Sequence, residues 1–162
     1  MEIVERETIR MVGLETRSGH EDLSENLTRT WRALLERQAD IPHRVDEVLI
    51  DVALDRFARS YLQMLGARVS RIGELPEDMR AIEIPAQCYI RHRHDGPVSE
   101  IGSAFGRMYD WAVAQGMDAA EFKLDIGYRP DGSEGAHELL IAIPPVARYR
   151  YIDGRDDPER QG

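Results

Sequence analysis

The sequence has a single cysteine and no long apolar segment, and these absences exclude several classes of protein. Cys88 is alone among 162 residues, so an intramolecular disulfide and a cysteine-rich zinc site are both excluded. No stretch approaches the roughly 20 apolar residues that a membrane helix needs. The first residues, MEIVERETIR, carry charges where a signal peptide needs an apolar run. We therefore expect a cytoplasmic protein with no membrane partner.

Signatures of common enzymes and of nucleic-acid-binding proteins are absent as well. The sequence contains no GxSxG, no P-loop and no GxGxxG, and it has no basic helix of the helix-turn-helix kind. Its 30 acidic residues outnumber 21 basic ones, and the formal charge of -9 repels phosphate backbones and anionic lipid. We expect no direct contact with nucleic acid.

The sequence also predicts neither a metal site nor a reactive thiol. His92 and His94 share one face of a predicted strand, yet no third ligand follows at a recognisable spacing, so no metal site is predicted. We expect no cofactor. Cys88 lies between Gln87 and Tyr89 in the same predicted strand, where we expect a buried and inert thiol.

What the sequence does have is an order of apolar patterns that occurs twice. Alternating apolar residues predict strands, and apolar residues spaced by three and four predict two helices. The predicted elements are a strand at 3–17, a helix at 23–35, strands at 45–54 and 60–72, a strand at 79–94, a helix at 98–112, and strands at 121–128 and 138–143.

This order predicts an α+β fold built from a duplicated β-α-β-β unit. Two antiparallel halves, at 3–72 and 80–146, are related by a pseudo-twofold axis within one domain at 1–146, and residues 147–162 form a polar, mobile tail. Each half is too small to be stable alone, so the two pack together and leave a groove along the axis. Such junctions are preferred places for small-molecule sites.

A constant shift of 77 residues relates the two predicted halves. It lays Gly19 on Gly96, Trp31 on Met108 and Tyr61 on Glu138 without a gap. Sequence identity between the halves is low, so an accidental match of two α+β segments remains the alternative.

Three residues are candidates for a ligand site in that groove. Glu138 opens the apolar strand HELLIAIPP, where a half-buried carboxylate needs a partner, although a solvent-facing strand start is the more common reason for such a residue. Its symmetry mate Tyr61 places a phenol at the equivalent position. Trp111 lies beside the main stripe of the second helix, where a large ring forms either a groove wall or core packing.

Several longer segments together resemble a known family. The run YLQMLGARVSRIGELPEDMRAIEIPAQCYIRHRHDGPVSEIG, the MYDW helix, FKLDIGY and HELLIAIP are similar to the GyrI-like small-molecule-binding domain. This domain is also the effector-binding domain of AraC-type and MerR-type multidrug-responsive activators and belongs to the SOUL-related superfamily. The resemblance covers residues 1–146, and because no DNA-binding domain is recognisable, we expect a stand-alone member of the family.

The resemblance implies a groove walled by aromatic side chains around a glutamate of the last strand. The matching positions are Glu138 for the glutamate, Tyr61 for the strand tyrosine and Trp111 for the helix tryptophan. FKLDIGY departs from the family, because Lys123 and Asp125 stand where many members carry an acid and a tyrosine. The other predicted ligand contacts are Trp31, whose central helix position favours the core, and Phe105, Met108 and Phe122.

Three functions remain open on these grounds. The first is a binding protein for small hydrophobic, cationic compounds that acts in sensing, sequestration or drug tolerance. The second is a hydrolase of strained electrophilic ring compounds, in which Glu138 deprotonates a water molecule and Tyr61 orients it. The third is a protein–protein role such as inhibition of DNA gyrase. The sequence also leaves a homodimer open.

Overall fold

The structure is a computed structural model and describes residues 1–57 and 59–155. Within those ranges, nine strands and two α-helices follow one another. In chain order they are β1 (Glu2–Arg6), β2 (Ile9–Gly19), α1 (Leu23–Arg37), β3 (Leu49–Phe57), β4 (Ser60–Val69), β5 (Arg80–Ile84), β6 (Gln87–His94), α2 (Ile101–Ala114), β7 (Lys123–Tyr128), β8 (His137–Ala142) and β9 (Arg150–Tyr151).

All strands join one antiparallel sheet in the order β1-β6-β8-β7-β3-β4-β2-β5-β9. Without β9, the order inward from one end is β1-β6-β8-β7, and from the other end it is β5-β2-β4-β3. Strands at the same place in the two series are counterparts in the two halves, and β7 and β3 meet in the middle. The predicted α+β fold with a duplicated unit is therefore confirmed. The two halves share a single sheet, and the first strand of each half pairs with the second strand of the other half.

Each half has two strands before its helix, where the sequence predicted one. The segment predicted as a strand at 3–17 is interrupted at Glu7 and Thr8, and the one at 79–94 is interrupted at Pro85 and Ala86. Proline has no N–H to donate to a strand neighbour, so Pro85 ends the ladder there. The interruption lets the two flanking strands pair with opposite halves of the sheet.

Both helices pack on the same face of the sheet. The predicted stripes form these contacts: Leu27, Trp31 and Leu34 of α1 join one core cluster, and Ala104 and Met108 of α2 join another. The opposite face carries one large cluster with residues from β2 through β8, most of them fully buried. Since the described residues offer no helix to cover this face, the sheet curls around it.

The strand registers show that one constant shift does not relate the halves. Leu65 in β4 and Leu139 in β8 both face the helices and are 74 residues apart, whereas Val12 in β2 and Ile90 in β6, which also face the helices, are 78 apart. Eleven residues separate α1 from β3, against eight between α2 and β7. A slip of one residue turns a side chain to the other face, so the predicted equivalence of Tyr61 and Glu138 does not hold.

The C-terminal segment also differs from the expectation of a mobile tail. Strand β9 pairs with β5, and the Tyr149 side chain is buried in the core of the curled sheet. The Asp153 carboxylate accepts two hydrogen bonds of 3.0 Å from the Arg80 guanidinium, whose carbon lies 3.7 Å from the centre of the Tyr151 ring. Residues 156–162 lie outside the described residues.

Among the described residues, neither helix is long and apolar enough to cross a bilayer.

Candidate functional site

Two aspartates lie side by side where the two halves meet. Asp51 of β3 and Asp125 of β7 are directly opposite each other in the register of the two central strands. Their neighbours on β3 and β7, Ile50, Val52 and Leu124, face the curled core, so both carboxylates point to the side that carries the helices. Cross-strand neighbours are about 5 Å apart, which brings two carboxyl groups into one small site.

Each aspartate is held by one residue of the next strand outward. The Gln63 amide donates a hydrogen bond of 3.0 Å to Asp51 Oδ1, and His137 Nδ1 lies 2.6 Å from Asp125 Oδ1. Gln63 and His137 are 74 residues apart, as are Asp51 and Asp125, so the arrangement repeats across the pseudo-twofold axis. Asp125 and His137 are buried, whereas Asp51 is partly exposed.

The close approach of the two carboxylates affects the protonation of Asp51. Burial and the neighbouring charge of Asp125 raise the pKa of Asp51 to about 7, against the opposing effects of the Gln63 hydrogen bond and of the Lys123 charge. Asp51 therefore exchanges a proton near neutral pH, as expected when two carboxylates share one site.

The aspartate pair differs from other acids of low exposure in having no arginine or lysine ion pair among the described residues. Glu138 has two arginine partners and Asp153 has Arg80, whereas the described part of the chain provides no arginine or lysine ion pair for Asp51 or Asp125. Two adjacent carboxyl groups without an arginine or lysine ion pair can accept a cation or a hydrogen-bond donor from outside.

A cavity of about 750 Å3 opens next to the pair. Ala53 and Lys123 are opposite each other one step along the same face from the aspartates, and both line the cavity. The aromatic side chains that line it are Tyr61, Tyr109, Phe122 and Tyr149. At the other end of the central strands, the Tyr128 ring packs 4.5 Å from Trp31 and 4.7 Å from His137, measured between ring centres. A second cavity, of about 580 Å3, is lined at that end by Val48, Arg129 and Pro130.

Most charges around the cavity are already paired with one another. Asp55 accepts hydrogen bonds from Arg148 and from the Tyr149 hydroxyl, at 3.2 Å and 3.0 Å, and Arg56 lies 3.3 Å from Glu121. Lys123 is different. Its Nζ donates long hydrogen bonds of 3.5 Å to the Tyr109 hydroxyl and to a backbone carbonyl.

Glu138 and Tyr61, which the sequence placed together, lie in different parts of the molecule. Glu138 is on the core-facing side of β8, where it accepts hydrogen bonds of 2.8 Å from Arg6 and 2.6 Å from Arg91. These two arginines lower the pKa of Glu138 against the effect of burial. Across the sheet, Glu138 is aligned with Ile126 of β7, Ile50 of β3 and Gly66 of β4. Tyr61 lies five residues along β4 from Gly66, and its side chain is on the other side of the sheet. Five residues of strand span about 17 Å.

Among the other sequence-predicted ligand contacts, only Phe122 lines the cavity. Phe105 is nearby, with its ring centre 5.7 Å from Lys123 Nζ. Met108 of α2 is fully buried in the cluster between α2 and the sheet, and Trp111 of α2 is half-buried in that cluster. Trp31 of α1 packs on the Tyr128 ring. The role of this set in ligand binding stays a prediction.

Histidine and cysteine show no sign of a metal site. No group of three possible ligands occurs in the ranges that the structure describes. His94 is buried, with Nε2 2.8 Å from the Pro97 carbonyl oxygen. Cys88, expected to be buried, is exposed, because it points away from the core face that its neighbour Tyr89 occupies.

Sequence reasoning missed Asp51, Asp125 and His137. The signal was present, because a single acid interrupts the apolar strands LIDVAL and KLDIGY. In the sequence, Asp125 stands out only because FKLDIGY departs there from the GyrI-like pattern.

The protein is thus a duplicated α+β domain with an aromatic-lined cavity near the junction of its two halves. The chain belongs to the Cass2 family of integron-associated effector-binding proteins, whose family model matches residues 2–143. The resemblance to GyrI-like effector-binding domains is thereby confirmed. No curated protein matches the chain in sequence.

Solved structures share this fold at low sequence identity. SAV2435 bound to tetraphenylphosphonium has a TM-score of 0.70 and 9% identity over 89% of this chain and 93% of that one. The C-terminal domain of EcmrR has a TM-score of 0.62 and 12% identity over 90% and 97% of the two chains. The integron cassette protein VCH_CASS2 of Vibrio cholerae has a TM-score of 0.59 and 14% identity over 88% and 94%.

Proposed function

We propose that this protein binds small hydrophobic compounds, cations among them, in the cavity beside α2. The cavity itself carries the proposal: it measures about 750 Å3 and has four aromatic side chains on its walls. Sites for small molecules have volumes of about 300–1,000 Å3 and are lined mostly by apolar and aromatic groups. The tetraphenylphosphonium bound to SAV2435, a protein of the same fold, supports a hydrophobic cation as one ligand class.

The preference for cations rests on Asp51 and Asp125. Their carboxylates make no ion pair with arginine or lysine among the described residues. On the same face of the sheet, the next pair along the two strands is Ala53 and Lys123, which line the cavity. A cation above them would stabilise the ionised form of Asp51, which Asp125 destabilises. Glu138 remains the anchor suggested by sequence, but a cation would have to compete there with Arg6 and Arg91. We therefore favour Asp51.

Such binding serves sensing, sequestration or tolerance of toxic compounds. All three roles need a cavity that accepts ligands of varied shape. Aromatic walls meet this need, because they offer large contact areas with little directional constraint.

Binding is tested with tetraphenylphosphonium and with the neutral triphenylphosphine oxide. We expect both to bind, and we expect Tyr61→Ala to weaken both about tenfold, since it removes wall area without regard to charge. Val113→Ala, at an α2 position that is 78% exposed, is the matched control. Absence of saturable binding for both compounds, or equal affinities for the two variants, would contradict the proposal.

One observation supports hydrolysis as a second candidate. A carboxyl group with a pKa raised to about 7 is suited to act as a general base near neutral pH, and Asp51 is partly exposed. Incubation with styrene oxide, a strained electrophilic ring compound, should then yield the diol with wild type and not with Asp51→Asn. Equal hydrolysis by the two proteins excludes this role for Asp51.

A further inference from the structure

The composition of the basic residues in this chain is unusual. Its 21 basic residues are 20 arginines and one lysine, Lys123. That lysine lines the proposed ligand cavity. The chain therefore has one side-chain amine, and it lies where a ligand would bind.

Packing alone does not explain a lysine at this position. The Lys123 ammonium lies 5.7 Å from the Phe105 ring centre and 5.6 Å from that of Tyr109. Elsewhere in the described structure, the same kind of contact with an aromatic ring is made by arginine, as with Arg80 on Tyr151 and Arg56 on Tyr61. Arginine stacks on rings at least as well as lysine does, so ring contact gives no reason for the exception.

Lysine differs from arginine in its ability to lose a proton and become a nucleophile. Burial lowers the pKa of Lys123, while the charges of Glu121 and Asp51 oppose this effect. Asp125, two residues along β7, and Tyr109 of α2 lie on the same side, and burial raises the pKa of Tyr109 to about 12. Tyr109 thus remains a neutral phenol, and its oxygen accepts the hydrogen bond from Lys123. The cavity lining adds Tyr61, Asp55, Arg56, Arg148 and Tyr149.

We propose that Lys123 captures aromatic aldehydes in the cavity as a reversible imine. In this reaction Nζ attacks the carbonyl carbon and forms the C–N bond. The carbonyl oxygen then leaves as water with the two hydrogens of the neutral amine, and C=N remains. No oxidant or reductant is needed. The aromatic walls hold the ring of the aldehyde, which places its carbonyl group beside the amine. This inference rests on the proposed ligand cavity.

The test is reductive trapping of the imine at pH 7 with cinnamaldehyde and sodium cyanoborohydride, located by peptide mass spectrometry. We expect Lys123 to be labelled at least tenfold faster than a reference amine. The reference is the double variant Lys123→Arg, Arg32→Lys, which moves the single side-chain amine to an exposed site on α1. Formaldehyde, which needs no aromatic pocket, should show a smaller difference between the two proteins.

The outcomes separate this inference from the proposed function. Equal cinnamaldehyde labelling of the two proteins overturns the inference, whatever binds non-covalently. Fast labelling of Lys123 that is blocked by saturating tetraphenylphosphonium supports both. Fast labelling without tetraphenylphosphonium binding supports the inference and contradicts the proposed preference for hydrophobic cations.

Discussion

The residue that distinguishes this domain most clearly is Asp51, because its carboxylate makes no ion pair with an arginine or lysine in the part of the chain that the structure describes. Half-buried acids elsewhere in the protein are neutralised by arginine, and those pairs hold elements together. Asp51 instead faces a second carboxylate across the central strand pair. This repulsion destabilises the folded state, and strongly perturbed carboxyl groups of this kind are frequent at functional sites, which is consistent with the cation site proposed above.

The pH dependence of folding stability tests this account of Asp51. The pKa of Asp51 is raised to about 7 in the folded protein, above an unfolded value near 3.9. Between these two values the folded state holds the extra proton, so stability decreases as pH rises from 4 to 7 and then levels off. Relative to Asp51→Asn, wild type should lose on the order of 2–4 kcal/mol over this range.

Urea denaturation of both proteins at several pH values provides the measurement. The difference between the two curves removes the contributions that both proteins share. Parallel curves would show that Asp51 titrates at its ordinary pKa and that the two carboxylates do not repel each other as described.

At the scale of elements, the close approach of β2 and β4 shapes the sheet. Gly13 and Gly66 are opposite each other in the register of these strands. A Cβ atom added at Gly13 would lie 2.2 Å from the Leu65 carbonyl oxygen, and one at Gly66 would lie 2.0 Å from that of Val12. Because both contacts are with backbone, no side-chain movement relieves them, and the strands can bend together here only with glycine.

We therefore expect Gly13→Ala to destabilise the protein by about 3 kcal/mol or more. The matched control is Gly106→Ala in α2, where an added Cβ meets no atom within 4 Å. That change should stabilise the helix by about 0.5–1 kcal/mol. Thermal denaturation compares the three proteins, and a Gly13→Ala variant as stable as wild type would refute the close packing of the two strands.

At the scale of the whole molecule, the C-terminal segment adds an edge strand to the sheet and buries Tyr149 in its core. The Asp153 side chain is fully buried against Arg80, whose side chain is 11% exposed. Removing one partner of a buried pair leaves the other charge uncompensated, at a cost of about 3 kcal/mol. The segment after β8 is thus part of the folded body as far as residue 155.

Asp153→Asn should accordingly lower the melting temperature by about 5–10 °C. Asp95→Asn is the control, because the Asp95–Arg93 pair is more than half exposed and exposed pairs contribute little. If the two variants melt together with wild type, the segment does not dock on the sheet.

The sequence predicted the helices and most strands because apolar periodicity is local. It did not predict the site, because the position of a side chain there depends on registers set by loops of unequal length. Leu27 and Trp31 lie where the helix stripe placed them, whereas Glu138 and Tyr61 face opposite sides of the sheet. Lone acids inside apolar strands would have been a better guide than an assumed constant shift.

We propose above all that cations bind in the aromatic cavity and are attracted there by the neighbouring aspartate pair. The most direct test is the dissociation constant of tetraphenylphosphonium at pH 8 for Asp51→Asn and for Glu138→Gln, with triphenylphosphine oxide as the neutral reference. Asp51→Asn should weaken the cation about tenfold to a hundredfold and leave the neutral compound nearly unchanged, because it removes the charge and keeps the shape. Glu138→Gln should leave both affinities within about twofold, a difference of roughly 0.4 kcal/mol. A large loss of cation affinity in Glu138→Gln with none in Asp51→Asn would contradict the account.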